Sequence, residues 1–224
     1  MSEIRMKRRS LLQTISMLAV GGQALVQTRD LQAAIAEATQ SVSKWPEMGY
    51  RKLGRTGFNG SRLIFGCGAA LSRNQAVNLL EPAFEAGINV FDVGFRSYYK
   101  DAEMNLAPFL KRHRDEVFLI SKAMVGDIES DDIIEVATAK QAAKNWQTSL
   151  DSSLKEMQVD HVDAYYIMAA NNTTLVRSEE MFSAFSTAKQ AGKVSHFGIS
   201  THENAEKVLI AAADTGWYDL AQIA

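Results

Sequence analysis

Asp92 and Lys122 each stand at the end of a short apolar run, and Tyr98 and Tyr99 lie between them in the chain. A carboxylate, an ammonium and a phenol are parts from which a proton donor can be built. An unperturbed tyrosine loses its proton near pH ~10. A lysine cation at close range favours the phenolate and lowers that value by ~1–3 units. An aspartate beside the lysine keeps it charged and oriented. Such a set could protonate an oxygen on which negative charge develops. Taken alone, an Asp and a Lys at strand ends more often form a surface ion pair.

The apolar runs that must position these groups lie at 63–66, 89–93, 117–121, 162–168, 194–200 and 220–223. They are short, nearly continuous and rich in β-branched or aromatic residues, as parallel strands buried on both faces are. The stretches between them carry helix signals. Asn74 is placed to cap a helix bearing Val77, Leu80 and Phe84 and closed by Gly87, and Pro82 predicts a kink or a late start. Residues 103–111 put Leu106 and Leu110 on one face, and residues 137–157 space Ala143, Trp146, Leu150 and Leu154 by threes and fours. Ser178 caps the next helix, with Met181, Phe182, Phe185 and Ala188 inward and Gly192 closing it. Thr201 or His202 precedes the last, with Ala205, Val208, Leu209 and Ala212 inward and Gly216 closing it.

The order is β-α five times and then a sixth strand, and right-handed crossovers place the strands in one parallel sheet. An open doubly wound sheet and a (β/α)8 barrel both satisfy this. The segment after the first run, Gly66-Cys67-Gly68-Ala69-Ala70-Leu71, lacks the third glycine of a dinucleotide-binding turn. Residues 50–58 read as a hairpin turning over Gly54 to Gly57, suited to capping the bottom of a barrel. The expected fold class is therefore α/β, a (β/α)8 TIM barrel with about six of its eight units and an N-terminal β-hairpin cap, over residues 48–224.

Several segments resemble the aldo-keto reductases. They are Tyr50-Arg51-Lys52-Leu53-Gly54-Arg55-Thr56-Gly57, Ala86-Gly87-Ile88-Asn89-Val90-Phe91-Asp92 and Val117-Phe118-Leu119-Ile120-Ser121-Lys122. Ser149-Leu150-Asp151-Ser152-Ser153-Leu154, Val159-Asp160-His161-Val162-Asp163 and Gly192-Lys193-Val194-Ser195-His196-Phe197-Gly198-Ile199-Ser200 continue the match in order. The resemblance implies hydride transfer between a nicotinamide cofactor, NADP with NAD as the alternative, and a small-molecule carbonyl or alcohol. It also implies an Asp, a Tyr, a Lys and a His at the C-terminal ends of successive strands, where this barrel holds its chemistry. Asp92 matches the Asp and Lys122 the Lys. The Tyr stays open. Ser97 occupies the usual position five residues after the Asp; counting back from Glu103 selects Tyr99, and counting forward with one inserted residue favours Tyr98.

The family His is absent, and Met168 stands in its place. Losing one such electrostatic donor typically costs on the order of 10²–10³ in rate. Three readings follow: an activated carbonyl that needs little help, substitution by Asn171, Asn172 or His202, or a barrel that binds cofactor without fast turnover. On the cofactor side, Ser200 and Thr201 stand where the family often has Ser-Asn, and Gln222 matches a glutamine that contacts the nicotinamide carboxamide. A barrel enzyme of another class, such as a metal-dependent lyase, lacks a ligand cluster, because no His or carboxylates group at strand ends beyond Asp92. His113, His161 and His196 read as residues of helix or strand faces.

The first residues differ from the rest. Arg5, Lys7, Arg8 and Arg9 precede a mildly apolar run at 11–20, and Arg8-Arg9-Ser10-Leu11-Leu12 resembles a twin-arginine export signal. Residues 1–24 are expected to be that signal and 25–47 a linker, making the protein exported or periplasmic if the signal is used and cytoplasmic otherwise. With a net charge of -2 and no Lys/Arg block in the body of the chain, nucleic acid is not suggested as a partner. No run approaches the ~20 apolar residues of a membrane span. The single cysteine, Cys67, excludes a disulfide framework and reads as a core residue. A whole barrel needs about 250 residues, so a fragment or truncated product is expected.

Overall fold

A computed structural model describes residues 47–74 and 76–223. The export-signal reading, and the linker reading up to residue 46, lie outside the described residues. The expected hairpin forms from β1 (Tyr50–Lys52) and β2 (Asn59–Ser61), paired antiparallel. Gly54 and Gly57 in its turn have φ of 52° and 77°, left-handed values that glycine adopts without a Cβ clash.

Six further strands, β3 (Phe65–Gly66), β4 (Val90–Asp92), β5 (Phe118–Met124), β6 (Val162–Met168), β7 (Val194–Thr201) and β8 (Leu220–Ile223), make one parallel sheet in chain order. Each strand adds on the same side of the last, with no reversal of order, which excludes the doubly wound alternative. The sheet curls around an inner apolar cluster, as consecutive units of a (β/α)8 barrel do. The connections hold α1 (Cys67–Leu71), α2 (Leu80–Glu85), α3 (Arg96–Tyr99), α4 (Ala102–His113), α5 (Val136–Met157), α6 (Thr173–Val176), α7 (Glu179–Gln190) and α8 (Ala205–Thr215). No described helix is long and apolar enough to cross a membrane.

Two cores result. The outer one lies between sheet and helices and includes Trp146, Leu150 and Leu154 of α5 at the expected spacing, and Cys67 as expected. The inner one comprises Val90, Phe118, Ile120, Ala164, Tyr166 and Leu220, with Leu53 and Phe58 of the hairpin packed against it. Gly198 belongs to this inner face because the Tyr166 ring lies over it; a Cβ there would sit 2.2 Å from the ring. Side chains alternate across a strand. The residues two positions beyond this cluster therefore form the next inward layer, nearer the C-terminal ends: Asp92, Lys122, Met168, Ser200 and Gln222.

Some local expectations are corrected. Asn74 has φ of 61° and caps no described helix; the segment opens as a 3-10 turn at Val77–Leu79, and α2 begins at Leu80. Pro82 falls in the first turn, where its missing N–H removes no helical bond, so the late start is the one adopted. β5 runs on to Met124, placing Lys122 inside the strand rather than at its end. Asn204, not Thr201 or His202, precedes α8, and Leu209 is 37% exposed because the buried stripe is Val208, Ala211 and Ala212. Ser178 does cap α7, accepting from the Met181 N–H at 3.4 Å.

Candidate active site

The inward layer opens into a cavity of about 320 Å³ lined by Asp92, Tyr99, Lys122, Met168, Ser200 and Gln222, among others. Three of these side chains close a ring across three strands. Lys122 Nζ donates to Asp92 Oδ2 at 2.7 Å and to Gln222 Oε1 at 2.7 Å. Gln222 Nε2 donates to the same Asp92 oxygen at 3.2 Å. Lys122 is 5% exposed and Asp92 8%, so this is a buried pair and not a surface one. Burial raises the Asp92 pKa above the ordinary carboxylate value, against the lowering effect of the Lys122 charge and of the hydrogen bonds from Lys122 and Gln222. The other oxygen, Oδ1, is buried with no hydrogen-bond partner among the described residues. An ammonium carries three donors, so one Lys122 N–H remains for a further group.

The two tyrosines of α3 are separated by the fold. Tyr99 is half-buried and lines the cavity; Tyr98 is 57% exposed and packs edge-on against Tyr99 with ring centroids 4.8 Å apart. The Tyr99 ring is held between two glycines. A Cβ on Gly68 would lie 2.6 Å from its Cε1, and one on Gly94 2.7 Å from its Cδ2. The Gly66-Cys67-Gly68 segment, which in sequence invited comparison with a phosphate loop, thus makes room for an aromatic ring. One expectation is reversed: the Tyr99 pKa is raised, first by burial and then by the charges of Asp92 and Tyr98. The Lys122 ammonium is bonded to Asp92 and Gln222.

Met168 lines the cavity from the end of β6. Of the three residues weighed as substitutes for the missing His, His202 lines the cavity and the other two do not. Asn172 is buried and fully used: its Oδ1 accepts from the Thr174 and Leu175 N–H groups at 3.0 Å, and its Nδ2 donates to the Glu129 and Asp132 carbonyls at 3.0 and 2.9 Å. Asn171 Oδ1 accepts from Thr201 Oγ1 at 2.7 Å. That bond also occupies Thr201, whose hydroxyl faces the turn after β7, whereas Ser200 belongs to the inward layer. Both line the cavity, as does Gln222, but both ends of the Gln222 amide meet the Lys–Asp pair. His161 joins Ser195 at 2.8 Å and Arg114 at 2.9 Å, and His196 joins Asp219 at 3.1 Å, so neither serves the cavity. Among the described residues no three His, Cys, Asp or Glu side chains group to hold a metal ion.

The model of the aldo/keto reductase family matches residues 53–224. The chain belongs to the aldo/keto reductase family. Among curated family relatives, it is 29% identical over 172 residues to the L-glyceraldehyde 3-phosphate reductase of Escherichia coli strain K12, covering 71% of this chain and 47% of that protein. It is 29% identical over 128 residues to norsolorinic acid reductase A of Aspergillus parasiticus, covering 55% of this chain and 32% of that one. The chain spans about half the length of the first of these relatives, or less of the second. A solved Pseudomonas aeruginosa chain assigned to the aldo-keto reductases superposes with a TM-score of 0.58 at 20% identity, over 78% of this chain and 76% of that one. At that identity the likeness is one of fold.

Proposed function

We propose that the protein transfers hydride between NADPH, with NADH as the alternative, and a small carbonyl substrate or the corresponding alcohol. The observation that carries this reading is the buried Lys122–Asp92 pair beside the half-buried Tyr99 phenol, in one cavity at the C-terminal ends of the strands. The residues fit the nicotinamide end of such a cofactor. Ser200 and Gln222 offer hydrogen-bonding groups on the inward layer, and the cavity of about 320 Å³ falls within the usual ligand-pocket range of about 300–1,000 Å³. Bound reduced nicotinamide supplies the hydride. Tyr99 gives its proton to the carbonyl oxygen, and its raised pKa keeps it loaded at neutral pH. Lys122 stabilises the phenolate left behind, and Asp92 holds that lysine in place. Ser200 and Gln222 would hold the carboxamide, while Thr201 fixes the end of β7 through Asn171. Tyr98 packs against the acid from outside. The relatives' named substrates differ, so the substrate is proposed no more narrowly than a carbonyl.

NADPH consumption with a panel of aldehydes, alongside cofactor binding read by tryptophan fluorescence, tests the reading. Turnover that disappears in Tyr99→Phe is expected; absence of cofactor binding ends the proposal. A second reading, a barrel that binds nicotinamide cofactor with little or no turnover, is favoured by Met168, which lines the cavity yet offers no proton. Binding without turnover, relieved by on the order of 10²-fold or more in Met168→His, selects it. Export by the twin-arginine route is proposed from Arg8-Arg9-Ser10-Leu11-Leu12; a reporter fusion retained in the cytoplasm removes it.

A further inference from the structure

Gln222 lies on β8, and its amide reaches two residues 100 and 130 positions away in the chain. Its oxygen accepts from Lys122 and its nitrogen donates to Asp92, so one edge of one amide spans both members of the ion pair. That edge holds one lone pair and one N–H directed the same way. The lone pair and N–H left over point to opposite sides of the amide plane's axis, so they cannot both meet a single second amide. Meanwhile Gly94 is flanked by the Tyr99 ring and by the Lys122 stem: a Cβ on it would meet Tyr99 Cδ2 at 2.7 Å and Lys122 Cγ at 3.2 Å. The Lys122 stem therefore runs beside the Tyr99 ring, while its ammonium is bonded to Asp92 and Gln222.

We propose that Gln222 is a positioning residue that clamps the Lys122–Asp92 pair and holds the ammonium off Tyr99 in the ligand-free protein, and that a ligand carboxamide frees the ammonium toward the phenol by taking the clamping edge of Gln222. The clamp stands on the geometry of the chain's own residues; the ligand half rests on the nicotinamide reading above. The arrangement gives the acid two settings. Clamped, Tyr99 feels burial and the Asp92 charge, and holds its proton firmly. Released, the ammonium turns to the phenol and makes the proton easier to give up. The acid then becomes competent only when the carboxamide is seated.

The groups that face Tyr99 are few. Asp92 of β4 and Lys122 of β5 carry charge. Tyr98 of α3 packs edge-on against Tyr99, and burial pushes the Cys67 thiol of α1 and the Tyr166 phenol of β6 up, so neither of these two carries charge at neutral pH. His202, after β7, lines the same cavity.

The test is the ionisation of Tyr99, read by ultraviolet difference titration with Tyr99→Phe subtracting the other tyrosines in each background. Without ligand, Gln222→Met keeps the side-chain bulk and removes both amide bonds. It is expected to lower the Tyr99 pKa by about one unit or more; an unchanged or raised value overturns the clamp. Gln222→Asn, too short to span both partners, is expected to move in the same direction and carries the test if the methionine variant fails to fold. NADP+ is then added to the full-length protein, with binding followed separately by tryptophan fluorescence. The positive ring lowers the phenol in both proteins, and release adds to this in the wild type alone, so the wild-type shift should exceed that of Gln222→Met. Equal shifts with NADP+ bound overturn the release. Failure of NADP+ to bind defeats the nicotinamide reading and with it the ligand half, while the ligand-free titration still decides the clamp.

Discussion

At the scale of single residues, the two adjacent tyrosines make the sharpest contrast. They share a helix turn and a residue type, yet one ring is fitted between Gly68 and Gly94 and the other faces solvent. Tyr99→Phe should lower kcat/KM by on the order of 10²–10⁴, the range of a lost general acid, while Tyr98→Phe should stay within about threefold. Steady-state kinetics on any accepted aldehyde reads both, and a reversed order would assign the acid to Tyr98. Asp92 and Lys122 were legible in the sequence because apolar runs bring their ends together in a parallel sheet. The tyrosine was not, because Tyr99 stands two residues beyond the usual position, Ser97, and only the folded loop says which ring enters. Gln222 was legible as a candidate site residue but not as a partner of Lys122, since that contact joins residues 100 apart.

At the scale of elements, α4 is tied to β5 through a buried carboxyl. Glu103 is 1% exposed and accepts from Ser121 Oγ at 2.7 Å. Burial raises its pKa from 4.5 to about 7, with the Glu156 charge adding to the rise and hydrogen bonds from Ser121 and Ser153 opposing it. A folded-state value above the unfolded one means that the folded protein binds this proton more tightly. The stabilisation is then complete below about pH 4.5 and lost as pH rises through about 7. Glu103→Gln should therefore gain stability over the wild type at pH ~8 relative to pH ~5, by up to about 3 kcal/mol. Denaturant unfolding at the two pH values measures it, and a difference independent of pH would refute the assignment. Helix patterns were legible where apolar spacing was strong, as along α5, and β6 and β8 follow their apolar runs residue for residue. Starts were less so. α6 and its Asn172 cap depend on carbonyls of Glu129 and Asp132 some forty residues back, which no local pattern announces.

At the scale of the whole described unit, the sheet is a curved wall with two cores, and the hairpin joins places far apart on it. Asn89 Oδ1, just before β4, accepts from the Ser61 N–H at 2.7 Å. Arg55 donates to the Gly216 and Tyr218 carbonyls, both at 2.8 Å, just before β8. Between them, Phe58 packs on Phe118 of the inner cluster with ring centroids 5.2 Å apart. Phe58→Ala should cost about 2–4 kcal/mol, the loss expected for opening a cavity under an apolar layer, read as a lowered denaturation midpoint with an unchanged dependence on denaturant. A cost below about 0.5 kcal/mol, the range of ordinary surface changes, would mean the hairpin merely rests on the sheet. The parallel order and the hairpin were both legible in sequence, from alternating apolar runs and from turn glycines. The inner core was less so, because its members come one or two from each strand and only the curl makes them neighbours.

The Arg55 contacts also bear on how the chain arrives at this shape. They join residues 161 and 163 positions apart, so they close a loop that takes in nearly the whole described unit. Contacts of such separation reward the chain only after most of its entropy has been spent, and they form late. Arg55→Ala should leave the refolding rate nearly unchanged and speed unfolding, placing the effect on the far side of the transition state. Stopped-flow measurement of both limbs tests this; slower refolding with unaltered unfolding would make the hairpin an early organiser. Faster unfolding with unaltered refolding makes the hairpin instead a latch that sets the lifetime of the folded protein.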